Sequence, residues 1–243
     1  MIADVARICK QGGRPVNQDC LETFESGGRM CLTACDGLGA YAGSGEASEI
    51  CSAYITRAFA RHAGNVTADA VTEFFRGAHE SIVTAKSLDS SLGSSCTTAA
   101  CVFADDADTL IAHIGDTRVY VFENGKIAMR TADHSVAQLA VERGRIDAEE
   151  IRFHKHQNKL TRVVGGKFFV LPDFCALGRA AVSGDAFLLC TDGFWEYVTS
   201  AEMEEDIASS QKPAEALGKM EQRLLAAAPA GNDNYSAILA FVK

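Results

Sequence analysis

The sequence predicts an α+β domain in which two antiparallel sheets are flanked by helices. Strand-like runs outnumber helical ones and come in succession, without strict strand–helix alternation. Two long amphipathic helices follow one another early in the chain, and a second helical pair precedes the last strand. A chain of 243 residues with 47% hydrophobic content can bury the core that such layers need. With no internal repeat and no linker-like stretch, residues 1–243 are expected to form a single domain.

Ile2 to Cys9 reads as the first strand, Gly12 to Asp19 as a polar loop, and Leu21 to Phe24 and Met30 to Cys35 as the next strands. From Ala42 the period turns helical, with Ala47, Ile50, Cys51, Tyr54, Ile55, Ala58 and Phe59 on one face and Gly64-Asn65 ending the run. Thr67 can cap a second helix whose stripe is Val71, Phe74, Phe75, Ala78, Ile82 and Ala85. A Ser/Gly-rich link, Ser87 to Ser95, leads to Thr97–Phe103, Thr109–Ile114, Arg118–Phe122 and Lys126–Met129. Short turns between these runs suggest one antiparallel meander. Residues 135–167 break the pattern with a short helix ending at Gly144. A basic segment follows, carrying His154, Lys155, His156, Lys159 and Arg162, and the whole stretch reads as a flap over the edge of a site. Phe174–Leu177 and Asp185–Cys190 resume strands. Ser200 is placed to cap a helix over Ala201–Ala208, Pro213 opens a longer helix to Ala227, and Asn234–Val242 closes the fold.

The formal net charge of −9 argues against nucleic acid or an anionic membrane as a partner. No run approaches the ~20 apolar residues of a membrane span. The segment Met1–Arg7 lacks the pattern of a signal peptide, so a cytoplasmic protein is expected. Nine cysteines without a C-x-x-C pair read as small hydrophobes in a reducing compartment, not as a disulfide framework.

The chemistry lies with the aspartates. Asp36 and Asp192 each close an apolar run of strand length, and each is followed by glycine and then by helix-like sequence. The hairpin reading that suits Asn124-Gly125 and Gly184-Asp185 therefore fails at both. Asp116 and Asp233 echo the arrangement more weakly. Carboxylates delivered from distant strands suit a hard cation such as Mg²⁺ or Mn²⁺. Two unscreened carboxylates ~4 Å apart repel by roughly 4 kcal/mol at an effective dielectric near 20, so a chain that gathers several needs cations. A pair of such ions can activate water and clamp a phosphoryl group. Arg14, in the glycine-opened loop before Asp19, can offer the forked contact to phosphate oxygens. The residues thus point to a metal-assisted phosphoester hydrolase.

Competing motifs are weaker. Gly37 to Ala42 fits G-x-G-x-x-G/A, but no parallel strand ending in an acid follows. Cys51 and Arg57 have C-x₅-R spacing inside an amphipathic helix, without an amide cradle. His154-x-His156 has no further soft ligand nearby, and Asp133-His134 reads as a helix N-cap region.

Seven motifs then stand in order: Arg14-Pro15-Val16-Asn17-Gln18-Asp19, Asp36-Gly37-Leu38-Gly39, Gly115-Asp116-Thr117-Arg118, Asp133-His134-Ser135, Leu160-Thr161-Arg162-x-x-Gly165-Gly166, Leu189-Cys190-Thr191-Asp192-Gly193 and Gly231-Asn232-Asp233-Asn234-Tyr235-Ser236. In order and spacing they resemble, nearly end to end, the metal-dependent protein phosphatases of the PPM family (type 2C serine/threonine phosphatases), in their bacterial single-domain form. The resemblance implies a four-layer α-β-β-α sandwich that hydrolyses phosphoserine and phosphothreonine in proteins through a water bridging two metal ions. The implied cofactors are Mn²⁺ or Mg²⁺, two core ions with a third, weaker one. Asp36 would bridge the core ions, the Gly37 carbonyl would touch one, and Asp192 and Asp233 would complete the other. Asp19 would hold a metal-bound water, Asp116 with Asp192 would bind the third ion, and Arg14 would hold the substrate phosphate. Arg14, Asp19 and Asp36 are thus the implied catalytic residues. The implied partners are phosphorylated proteins and a cognate Ser/Thr kinase, the phosphatase itself being a monomer. Gln18 departs from the common Glu and Ala40 from the second glycine. Leu38 stands where animal members carry a histidine. The alternative is a catalytically impaired PPM-like scaffold that binds phosphoproteins or a kinase.

Overall fold

The computed structural model describes residues 3–38 and 43–243. Ile2, the expected start of the first strand, and Gly39, Ala40 and Ala42 of the glycine-rich stretch lie outside the described residues. Strands β1 (Ala3–Lys10), β2 (Asp19–Ser26) and β3 (Arg29–Leu38) lead to helices α1 (Ser44–Arg61) and α2 (Ala68–Leu88). Then come β4 (Cys96–Thr97), β5 (Ala99–Ala104), β6 (Thr109–Ile114), β7 (Arg118–Glu123), β8 (Lys126–Arg130) and α3 (Val136–Glu142). The chain continues through β9 (Asp173–Ala176), β10 (Asp185–Cys190), the single turn α4 (Asp192–Trp195), α5 (Ser200–Ala208), α6 (Pro213–Ala227) and β11 (Tyr235–Val242).

One sheet runs β1-β11-β10-β7-β8 and the other β2-β3-β5-β6-β9, with β4 added beside β3. Period-2 alternation decides what each face meets. In β3, Cys31 and Cys35 point towards α1 and α2, while Met30, Leu32 and Ala34 enter the layer between the sheets. In β10, Leu188 and Cys190 join the core under α5 and α6, and Phe187 and Leu189 face inward. Ile55, Phe59, Phe75 and Ile82 seal one outer face; Met203, Leu217, Met220 and Leu224 seal the other. Each such fully buried side chain contributes about 1.5–3 kcal/mol. The result is the expected α-β-β-α layering. All nine cysteines are free thiols, and Cys31, Cys35, Cys51, Cys101 and Cys190 are buried as small hydrophobes. Among the described residues no helix is long and apolar enough to cross a membrane.

Several expectations need correction. The meander is not continuous: β6 pairs with β5 and β9, whereas β7 pairs with β8 and β10 in the other sheet. Gly115-Asp116-Thr117 is therefore a crossing between sheets, and Gly115 takes φ +104° to make it. Asp19 opens β2 and is not in the loop, and β3 continues past Asp36 to Leu38 because β4 pairs with its end. The expected run Thr97–Phe103 is split at Thr98. Helix α1 ends at Arg61, before Gly64-Asn65. Helix α5 is capped by Thr199 and not by Ser200, because Glu202 returns to the Thr199 amide and closes a capping box. Thr67 does cap α2, and Pro213 does open α6.

Residues 135–167 pack as α3, a 3₁₀ turn over Ala148–Phe153 and an irregular return. The stretch is tied down at its base, where Ser135 bridges to Leu160 and Thr97 to Val164. Lys86 Nζ also donates to the Gly165 carbonyl at 2.7 Å.

Candidate metal centre

The aspartates gather at one end of the sandwich, close enough that Asp36 is influenced by the other four. Asp19 and Asp36 are cross-strand partners on β2 and β3, on the strand faces that look towards the opposite sheet. Asp192 follows β10, Asp233 precedes β11, and Asp116 lies on the crossing between sheets. The backbone of Asp36 is fixed by Thr98, between β4 and β5: its amide donates to Thr98 Oγ1 and its carbonyl accepts from the Thr98 amide, both at 2.9 Å. Gly37, next along β3, donates to the Gln18 carbonyl at 3.1 Å. Glycine at 193 is required because a Cβ there would stand 2.1 Å from the Asn234 carbonyl oxygen and 3.3 Å from Asp233 Cβ. The Asp192 and Asp233 segments are thus pressed together, a contact no hairpin turn would make.

Crowding and burial govern the charges. Burial, with Asp192 and Asp233 behind it, raises the Asp19 carboxyl to about 7. Burial followed by Asp233 raises Asp192 to about 6. Asp36 is pushed well above the carboxylate range by burial and then by Asp19, Asp192, Asp116 and Asp233 together, so it feels all four of the others. Asp116 is raised likewise, by burial and then Asp192. Arg14 acts from the rim: its Nη2 donates to Asp233 Oδ2 at 2.6 Å, with both side chains partly exposed, and its charge also lowers Asp192.

A hard divalent cation fits these residues. Asp19 Oδ2 accepts from Thr191 Oγ1 at 3.0 Å, but Oδ1 is buried with no hydrogen-bond partner. A buried, unpartnered carboxylate oxygen in an all-oxygen, acid-rich cleft is what Mg²⁺ or Mn²⁺ would relieve. Among the described residues no three His, Cys, Asp or Glu side chains close up as a ready cage. An ion would then take one or two carboxylates at a time and complete its shell with water, as Mg²⁺ commonly does.

A stability test follows from the signs. Asp19 and Asp192 hold protons more tightly folded than unfolded, so their protonated forms favour the fold at low pH. That contribution is lost as pH rises through their values of about 7 and about 6. A cation must displace these protons and replaces them as the neutralising charge. The gap between melting temperatures in Mn²⁺ and in chelator should therefore widen from about pH 6 to about pH 8. At ~100-fold excess over Kd the ion should add roughly 2.7 kcal/mol of stability per site. A gap that stays constant over this range would contradict the assignment.

Other residues complete the site. Asn234 holds the Arg14 loop in place: its Nδ2 donates to the Gln11 and Val16 carbonyls, and its Oδ1 accepts from the Gln18 amide at 2.8 Å. Trp195 Nε1 donates to the Asp116 carbonyl at 3.0 Å. The Trp195 ring lies 3.5 Å beneath the buried Arg118 guanidinium, which grips Asp133 with two bonds of 2.8 and 2.7 Å. Asp133 is accordingly structural. His134 is too, its Nδ1 accepting from the Gly115 amide at 3.1 Å. Glu196 was not singled out by the sequence reading, although its spacing of four from Asp192 was the available signal. Burial and then Asp192 and Asp233 raise its carboxyl to about 8.

Residues 10–227 match the protein phosphatase 2C family. The chain is 27% identical over 210 residues to the serine/threonine phosphatase stp of Listeria innocua, covering 82% of this chain and 80% of that one. Its fold matches the serine/threonine phosphatase PstP/Ppp of Mycobacterium tuberculosis with a TM-score of 0.87, at 24% identity and full coverage of both chains. The catalytic domain of PstP in complex with two manganese ions gives a TM-score of 0.84, at 24% identity and 99% coverage of each chain. With nearly the whole chain inside that match, and the strand-borne aspartates at the mouth of the sandwich, this protein belongs to the protein phosphatase 2C family.

Proposed function

We propose that this protein is a divalent-cation-dependent serine/threonine protein phosphatase, acting as one domain over residues 1–243 with 135–167 as its flap. The observation that carries the reading is the convergence of Asp19, Asp36, Asp116, Asp192 and Asp233 from both sheets, with Arg14 on the rim. Asp36 would face two core ions, with Gly37, Asp192 and Asp233 as their other protein contacts and Asp19 acting beside them. Asp116 with Asp192 would hold a third, weaker ion. Mn²⁺ is supported by the manganese-bound PstP relative, and Mg²⁺ by the same oxygen donors. Bound ions supply an activated water and neutralise phosphate charge.

The chain's own residues position and bind. Thr191 fixes Asp19, Thr98 fixes Asp36, and Asn234 holds the loop from which Arg14 reaches the phosphate. Leu38 offers no proton, so the leaving oxygen takes its proton from solvent within the site. The partners are phosphoproteins phosphorylated by a cognate Ser/Thr kinase, in the cytoplasm, with the phosphatase as a monomer and no role for nucleic acid or membrane.

The test is hydrolysis of p-nitrophenyl phosphate and of a phosphothreonine peptide under metal titration. Activity is expected in Mn²⁺ or Mg²⁺ and none in chelator. Phosphopeptide binding without turnover would instead establish the scaffold alternative. Arg14→Ala should lower kcat/KM roughly 10–100-fold, the scale of a charge-assisted contact. It should also tighten Mn²⁺ binding, because Asp233 loses its competing cation. Wild-type kinetics in Arg14→Ala would remove Arg14 from the site.

A further inference from the structure

The acidic chain has one strongly basic stretch. Residues 152–167 hold five Lys or Arg, two His and no Asp or Glu, against 23 Lys and Arg and 32 Asp and Glu in the whole chain. Part of this charge is already committed. Arg152 pairs with Glu149 at 2.8 Å, and Arg162 pairs with Asp173. Lys155 and Lys159 are exposed and have no acidic partner among the described residues. Together with His154 and His156 they line a recess of about 400 Å³ formed by Arg152–Lys159. Phe153, 84% exposed, stands at its edge.

The recess is fastened to the metal centre at two points. Gln157 Nε2 donates to Glu196 Oε1 at 2.6 Å and Arg152 Nη1 to the Glu196 carbonyl at 3.2 Å, while the Glu196 amide donates to the Asp192 carbonyl. At the other end, the Lys159 carbonyl accepts from the Val136 amide at 2.8 Å, and neighbouring His134 is bonded to Gly115, next to Asp116. The two free lysines therefore lie on a segment that is anchored on the Asp116–Asp192 side of the site. Their positive charge contrasts with the rest of the chain, which is net acidic.

We propose that this recess receives acidic residues flanking the phosphorylated side chain of a protein substrate, so that the protein prefers phosphosites set in acidic sequence. The inference rests on the phosphatase reading and names its substrate class. A phosphoseryl or phosphothreonyl group enters the mouth, and aspartate or glutamate a few residues away meets Lys155 and Lys159. Because both lysines are exposed, the contribution is a screened one that adds specificity and speeds encounter.

The experiment compares kcat/KM for two phosphothreonine peptides that differ only in having aspartates or alanines beside the phosphosite. Wild-type protein should favour the acidic peptide by roughly 3–10-fold, the scale of two exposed charge pairs. This preference should shrink between about 50 and about 500 mM salt. Lys155→Ala/Lys159→Ala should level the two peptides, and Lys155→Glu/Lys159→Glu should reverse their order. In both variants p-nitrophenyl phosphate turnover and melting temperature should stay at wild-type values. Equal kcat/KM for the two peptides in the wild type, or a preference that survives charge reversal, would overturn the proposal. If the wild type leaves p-nitrophenyl phosphate intact, the phosphatase reading fails by itself. Fluorescence-polarisation binding of the same two peptides then still decides the recess.

Discussion

Asp36→Asn is expected to abolish turnover while raising the melting temperature of the protein in chelator. The substitution keeps the shape of the side chain and removes the charge that interacts with all four other aspartates. Without a cation, folding forces Asp36 either to bear that repulsion or to take up a proton, and Asn avoids both costs. With a cation, the attraction of the Asp36 carboxylate for the ion supplies binding energy, so its loss removes function. Substitutions one layer beyond a metal commonly cost 10–100-fold, so loss of a residue facing two ions should exceed roughly 100-fold in kcat/KM. Mn²⁺ should then add little to the melting temperature of Asp36→Asn. Asp116→Asn is the contrast: calorimetry should still find two tightly bound ions, with reduced activity. Retention of both ions and most activity by Asp36→Asn, or loss of the core pair in Asp116→Asn, would show that the two roles are misassigned.

The largest loss of stability is expected at Arg118. This guanidinium is 2% exposed and makes three bonds: two to Asp133 and one to the Tyr120 hydroxyl. Arg118→Met preserves bulk against Trp195 but leaves the Asp133 carboxylate, itself 3% exposed, without a counter-charge. Breaking one half of a buried pair costs ~3–5 kcal/mol, which in a chain of this size lowers the melting temperature by roughly 6–20 °C. Arg118→Lys should rescue little, because an ammonium cannot span both carboxylate oxygens and stack on the indole. Adding Asp133→Asn to Arg118→Met should recover much of the loss, since the stranded charge goes with it. A fall below about 2 kcal/mol for Arg118→Met alone would mean that water reaches Asp133.

Some of this was legible in the sequence and some was not, for definable reasons. Asp36 and Asp192 stood out because apolar strand, acid, glycine and helix-like sequence each carry a local signal. The structure brings both to one mouth, and their roles are part of the proposal above. Sheet membership carries no local signal. The crossing at Gly115-Asp116-Thr117 is as short as a hairpin turn, and only the pairing of β7 with β10 reveals it. The cap of α5 was legible but misread: Thr199 and Ser200 can both cap, and Glu202 three residues after Thr199 settles the choice. The contacts of Arg14 with Asp233 and of Arg118 with Trp195 span 219 and 77 residues of chain, beyond the reach of any periodicity.

The division of the aspartates between the two sheets has a consequence for how the chain assembles. Asp19 and Asp36 belong to strands near the N-terminus, whereas Asp192 and Asp233 flank strands near the C-terminus in the other sheet. Neither half of the sequence contains the site in outline. It comes into being only when the layers dock, so it depends on the least local contacts of the fold. A nascent chain, or one clipped between the sheets, holds separated pairs of acids and no catalytic mouth. Phosphatase activity in this fold is therefore a property of the closed sandwich alone, and a partly built chain is silent towards the phosphoproteins around it.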